Sequence, residues 1–226
     1  MRKIKVVGVG GIGGYLIEPL SRYLNHSQHE VELTVYDGDT YEEKNKSRQR
    51  FSAHENKAQH TVKILKEHFP KIHFRFKTEY LTEKNVISAI RENDVVFLCV
   101  DNHATRKLVS DRCQELDDVT LISGGNDYTD GNVIVYIRRD GNDVTKSPTQ
   151  LHSKIANPTD QNPGLKKEER NGCEEEFVSS PQLLFTNLAI ASSMCNCYYA
   201  WENNKVNFEQ VYLDIATQRM RPSPDN

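Results

Sequence analysis

At 226 residues the chain is long enough to bury the core of one sizeable α/β domain, and hardly long enough for two. Its 32 acidic and 29 basic side chains leave a formal charge of −3, so no general field favours nucleic acid or an anionic membrane. No apolar run approaches the roughly 20 residues of a membrane span, and the five cysteines show no scaffold-like spacing. An odd cysteine count fits a reducing compartment. The start, Met1-Arg2-Lys3, runs straight into an apolar strand and leaves no room for a leader, so the expectation is a cytoplasmic protein.

The first element in chain order is Ile4 to Val9, a β-branched run ended by glycines, which reads as a buried parallel strand. A helix follows, with Ile12, Leu16, Leu20 and Leu24 recurring every fourth residue and a kink expected near Tyr15 from Pro19. Val31 to Tyr36 is the second strand. After a polar loop comes a helix carrying Ala58, Val62 and Leu65, closed by Phe69-Pro70. Ile72 to Phe76 is a weaker strand, Val86 to Ile90 a short helix, and Val95 to Val100 a strand leading into a helix from His103 to Leu116. Val119 to Ser123 is the next strand, ending at Gly124-Gly125. This alternation predicts a Rossmann-like, doubly wound, mostly parallel α/β sheet.

Beyond residue 125 the pattern changes to an antiparallel C-terminal extension. Asp130-Gly131 is expected to turn the chain into the strand Asn132 to Arg138. Residues 140–176 lack periodicity and are expected to form one long loop, of a length that in compact domains is usually functional or disordered. Pro181 to Trp201 reads as a helix with Ser180 as N-cap and Leu184, Leu188 and Ala191 on its inner face. Gln210 to Ile215 is the last strand, and the tail from Pro222 is expected to be loose. The whole chain is thus read as one domain: a nucleotide-binding part over 1–125, then the extension, crossover loop and C-terminal helix and strand to residue 216.

Gly8, Gly10 and Gly13 fit G-x-G-x-x-G between a strand and a helix, a context that points to phosphate at the helix N-terminus. The first glycine allows a tight turn, the second lets a phosphate approach the backbone, and the third allows close packing. The motif does not choose between NAD, FAD and ATP. Asp37, ending the second strand, suits a ribose partner and serves a dehydrogenase equally well; as part of Asp37-Gly38-Asp39 it also fits a plain turn. Arg48 lies among Lys44, Lys46 and Arg50 and fits a solvated charge run. Lys57 fits a surface lysine opening an amphipathic helix, and Asp101-Asn102 fits a cap on the helix from His103.

Taken together and in order, the run Gly8-Val9-Gly10-Gly11-Ile12-Gly13, Asp37-x-Asp39, Asn45-x-x-Arg48-Gln49, Lys57, and Asp101-Asn102 with Arg106 resembles the ThiF/MoeB-type adenylyltransferases, which include the ubiquitin-activating enzymes. The likeness covers residues 4 to about 139, through Gly131 to Tyr136, with a looser echo from Pro181. It implies ATP as nucleotide and Mg²⁺ at Asp101. It implies adenylation of a carboxylate at the C-terminus of a ubiquitin-like or sulfur-carrier protein or a peptide, with release of pyrophosphate. It implies an ATP site made by Gly8, Gly10, Gly11, Gly13, Asp37, Asp39, Asn45, Arg48, Gln49, Lys57, Asp101 and Asn102. Within that site Arg48 and Lys57 serve the phosphates and Arg106 clamps the structure. It further implies a homodimer, with neither nucleic acid nor membrane as partner.

The chain departs from the family in three ways. It lacks the two C-x-x-C pairs that hold zinc in many relatives, so no zinc is expected. The N-terminal helix that supplies an arginine in some relatives is not expected here, since Ile4 already begins the first strand; Arg2 or Lys3 would then substitute, or the role would be lost. Cys173 stands where a thioester-forming nucleophile would be useful, yet Glu174-Glu175-Glu176 should raise its pKa, which suits an incidental cysteine as well. Cys99 and Cys113 are expected in the core. The alternatives are a non-catalytic module of this fold that docks a ubiquitin-like partner, and a nicotinamide or flavin oxidoreductase. The oxidoreductase leaves Arg48, Lys57 and Asp101 without work.

Overall fold

The computed structural model describes residues 1–41, 55–165 and 183–223. Five strands form the parallel part: β1 (Arg2–Val7), β2 (Val31–Tyr36), β3 (Ile72–Lys77), β4 (Asp94–Leu98) and β5 (Val119–Asn126). They lie in the order β3-β2-β1-β4-β5, with every neighbouring pair parallel. The order reverses between β1 and β4, which opens a crevice at the C-terminal ends of those two strands. β6 (Asp130–Arg139), β8 (Gln210–Asp214) and β9 (Arg219–Pro222) continue the sheet antiparallel, and β7 (Asn142–Asp143) pairs with β6. The predicted doubly wound sheet with an antiparallel extension is the observed fold.

The helices cover both faces because the central strands are apolar on both. Along β4, Val95 and Phe97 join one buried cluster while Val96 and Leu98 join the other. The first cluster takes Leu16 and Leu20 of α1 (Gly11–Leu24), Val62 and Leu65 of α2 (Lys57–His68), and Ile190 and Met194 of α7 (Leu184–Glu202). The second takes Val86 of α3 (Val86–Ala89) and Val109 and Cys113 of α4 (His103–Gln114). Each large aliphatic side chain buried this way stabilises by about 1.5–3 kcal/mol. Cys99 and Cys113 are core residues, as expected. No helix among the described residues is long and apolar enough to cross a membrane.

The structure corrects the expectations in several places. β1 and β4 end two residues earlier than their apolar runs, so Gly8, Gly10, Cys99 and Val100 line the crevice, and Val9 packs in the core beyond the strand. Gly124 and Gly125 lie inside β5, and Asp130-Gly131 inside β6; the turn is the three-residue loop Asp127–Thr129. Gly124 is where α7 presses on the sheet, since a Cβ there would lie 2.3 Å from Met194 Sδ. Of the loop expected over 140–176, the described part, 140–165, is not featureless: it holds β7, α5 (Pro148–Leu151) and α6 (Ser153–Ala156), with Ser147 and Gln150 forming a capping box at α5, while 166–176 lie outside the described residues.

Helix α7 starts at Leu184 with Leu183 in the cap position, while Ser180 and Pro181 lie outside the described residues. Its buried face carries Thr186, Asn187, Ile190, Ala191, Met194, Cys197 and Tyr198; Leu188, expected inside, is exposed. Pro222, expected in a loose tail, pairs with Val211 in β9.

Candidate functional site

The crevice is a cavity of about 710 Å³. Gly8, Gly10 and Gly11 line it, with Asp37 and Asp39 after β2, Lys57 at the start of α2, and Asp101 and Asn102 after β4. Parallel pairing explains the convergence. Val7 is in register with Tyr36 and with Leu98, so the residues following β1, β2 and β4 emerge side by side.

Two of the glycines are dictated by space. Gly8 has φ +85°, and a Cβ on Gly13 would sit 2.0 Å from the Gly8 carbonyl oxygen. The N-terminus of α1 therefore lies directly on the turn. Gly10 holds the cap position of α1 without any side-chain acceptor, leaving the first amides of the helix facing the cavity.

Asp37 is only 7 % exposed. Its Oδ2 accepts a hydrogen bond from Val9 N–H at 2.8 Å, and its Oδ1 accepts from Asp39 N–H at 2.9 Å. It thus ties the β2 loop to the glycine turn as well as lining the cavity. Burial pushes its carboxyl above the usual aspartate range, with the two amide donors opposing that shift.

Lys57 is not the surface lysine its helix position suggested: it is 4 % exposed, and its Nζ donates to Asp39 Oδ2 at 3.0 Å. Asn56 delivers it there. The Asn56 side chain caps α2 by accepting from Ala58 and Gln59 N–H, and its amide donates to the carbonyls of Asp37 and Asp39. Tyr80 adds its hydroxyl to Asp39 Oδ1. The sequence offers a sign for Asn56, a residue of cap type before a helix, but none for Tyr80.

On the other side of the crevice Asp101 is exposed to the cavity. Asn102 caps α4 by accepting from Thr105 N–H at 2.8 Å. Arg106 is the expected clamp: its guanidinium donates to Ser123 Oγ at 2.9 Å, to the carbonyl of Gly124 at 2.7 Å and to that of Val100. It locks α4 to the ends of β4 and β5. Asp160, missed in the sequence, accepts from His103 and Ala104 N–H at 2.6 and 2.8 Å and so occupies the N-terminus of α4. From there residues 157–165 cross the cavity to the loop after β3, where the Asn162 amide donates to the Leu81 carbonyl at 2.8 Å. Beyond this strap the cavity continues past Asp127 and Asp130 to Asn132 and His152, whose ring is held by Gln210 Oε1 at 2.8 Å.

Asn45, Arg48, Gln49 and Cys173 lie outside the described residues. No cluster of three or more metal-ligating side chains occurs among the described residues. The carboxylate of Asp101, facing the cavity, is a donor of the kind Mg²⁺ takes when phosphate oxygens supply further ligands.

Fold and crevice together define a doubly wound α/β protein whose cavity sits at the switch point of the sheet. Residues 1–222 match the ThiF family, and the chain belongs to that family. It is 33 % identical over 142 residues to the adenylyltransferase and sulfurtransferase MOCS3 of Drosophila ananassae, covering 61 % of this chain and 30 % of that protein. It is 29 % identical over 141 residues to the SUMO-activating enzyme subunit uba-2 of Caenorhabditis elegans, covering 60 % and 23 %. The chain therefore spans less than a third of the length of these curated relatives. Among solved structures, the microcin C7 biosynthetic enzyme MccB in complex with N-formylated MccA superposes with a TM-score of 0.72 at 16 % identity, covering 99 % of this chain and 64 % of that one. PaaA gives 0.66 at 15 % identity with the same coverage. These likenesses confirm the fold.

Proposed function

We propose that the chain is an ATP-dependent adenylyltransferase that activates the C-terminal carboxylate of a ubiquitin-like or sulfur-carrier protein or of a peptide, and that it works as a cytoplasmic homodimer. The observation that carries this reading is the single cavity lined at once by the glycine turn, Asp37, Lys57 and Asp101. Family membership adds to it, as do the adenylyltransferase and activating-enzyme names of the relatives.

In the proposed reaction a carboxylate oxygen of the acceptor attacks the α-phosphorus of ATP. The bond from that phosphorus to the bridging oxygen breaks, and pyrophosphate leaves with the electron pair. No oxidation occurs. The protein's work is positioning and charge stabilisation. The amides at the start of α1 face the phosphates, Asp37 takes the ribose hydroxyls, and Lys57 supplies positive charge. Arg48 is assigned a second cationic role by its place in the motif. Asp101 would hold Mg²⁺, which when bound neutralises phosphate charge. The strap and the surface around Asn132 and His152 are left for the acceptor's tail.

Pyrophosphate exchange into ATP, run against a panel of ubiquitin-like proteins and peptides, tests the reading. Replacing Lys57 by Met or Asp101 by Asn should cut exchange by about a hundredfold or more, while both variants stay folded. Replacing Cys173 by Ala should leave exchange intact. ATP binding without exchange for any acceptor would return the chain to the non-catalytic alternative.

A further inference from the structure

The loop after β3 carries no part of the sequence motif, yet it enters the nucleotide end of the cavity through Tyr80. The ring lies against Gly38, where a Cβ would come within 2.5 Å of ring carbons Cδ2 and Cε2. From that seat the hydroxyl donates to Asp39 Oδ1, and the other oxygen of the same carboxylate accepts from Lys57 Nζ at 3.0 Å. The ring has little freedom to leave. The Tyr80 carbonyl accepts from the Asn85 amide at 2.9 Å, and a Cβ on Gly164 of the strap would lie 2.9 Å from Tyr80 Cβ.

A carboxylate that is half exposed, as Asp39 is, would otherwise rotate and pair with the ammonium in several geometries. A buried lysine on a flexible stem follows its anchor. We propose that Tyr80 is a positioning residue of the nucleotide site: by holding one oxygen of Asp39 it fixes the other, and thereby aims the Lys57 ammonium at the phosphates. The inference rests on the adenylation reading and extends it to a residue outside the motif. Burial and the Asp39 carboxylate both keep the phenol protonated, so the donor is present across the physiological range.

Tyr80→Phe keeps the ring against Gly38 and removes only the hydroxyl. Calorimetric titration with ATP and with adenosine separates the phosphate contribution from the nucleoside contribution. The expected result is a roughly tenfold loss of ATP affinity in Tyr80→Phe, with adenosine affinity unchanged. The same substitution in a Lys57→Met background should add nothing, because the hydroxyl acts through that lysine. Unchanged ATP affinity would overturn the proposal. So would equal loss for ATP and adenosine, or additive effects of the two substitutions. If wild-type protein bound neither ligand, the adenylation reading itself would fall and Tyr80's role with it; wild-type binding combined with any of the other three results removes the Tyr80 proposal alone.

Discussion

Gly13 shows how little room the glycine turn leaves. A methyl group 2.0 Å from a backbone carbonyl cannot be relieved by a side-chain rotation, so α1 or the turn must move. Gly13→Ala should lower stability by about 3 kcal/mol or more, beyond the usual cost of overpacking, because the obstacle is backbone. A fall in the thermal midpoint of the unliganded protein measures it. Asp37 offers a pH signature. Its folded pKa lies above the unfolded one, so its contribution is fully present below the ordinary aspartate value and is lost as pH rises through the raised value. Wild type should therefore lose stability relative to Asp37→Asn as pH rises across that window, and thermal unfolding of both proteins over a pH series checks the sign.

At the scale of elements, the strap of residues 157–165 is joined to two separate parts of the fold by a few side chains. It hangs between Asp160 on α4 and Asn162 on the loop after β3, with Gly164 fitted against Thr82 and Tyr80. Asp160→Ala removes two hydrogen bonds to a charged acceptor at a helix N-terminus without touching either buried cluster. The expected outcome is faster proteolytic cleavage within 157–165, with the thermal midpoint almost unchanged. Cleavage at the wild-type rate would show that the strap is held without Asp160. Asn102 and Asn56 belong to the same scale: each caps a helix whose first turn faces the cavity, so the caps that start the helices also build the site.

Over the whole molecule, the sheet is what assembles the site. Parallel register brings the ends of β1, β2 and β4 together, and the antiparallel strands β6 and β8 extend the cavity to Asn132, His152 and Tyr212. A homodimer is the assembly proposed from the family likeness. Light scattering behind a sizing column should give twice the 25.9 kDa of the chain. A single-chain mass at micromolar concentration would reject that assembly while leaving the crevice chemistry to be tested separately.

Much of this was legible from local pattern. The largely apolar runs Ile4 to Val9, Val95 to Val100 and Val119 to Ser123 marked the buried strands, because a strand covered on both faces takes apolar residues on both. The spacing of Gly8 and Gly13 marked the turn, since only glycine tolerates φ +85° and so close an approach of backbone to helix. The cap at Asn102 followed from residue type and position. The tertiary structure alone decided which face of α7 is buried, because its apolar residues are spread around the helix and mark no side. It alone turned Lys57 from an exposed-looking lysine into a buried one paired with Asp39, and brought Tyr80 and Asp160 to the cavity. These contacts join residues distant in the chain through charge and shape, and nothing within a turn of either partner records them.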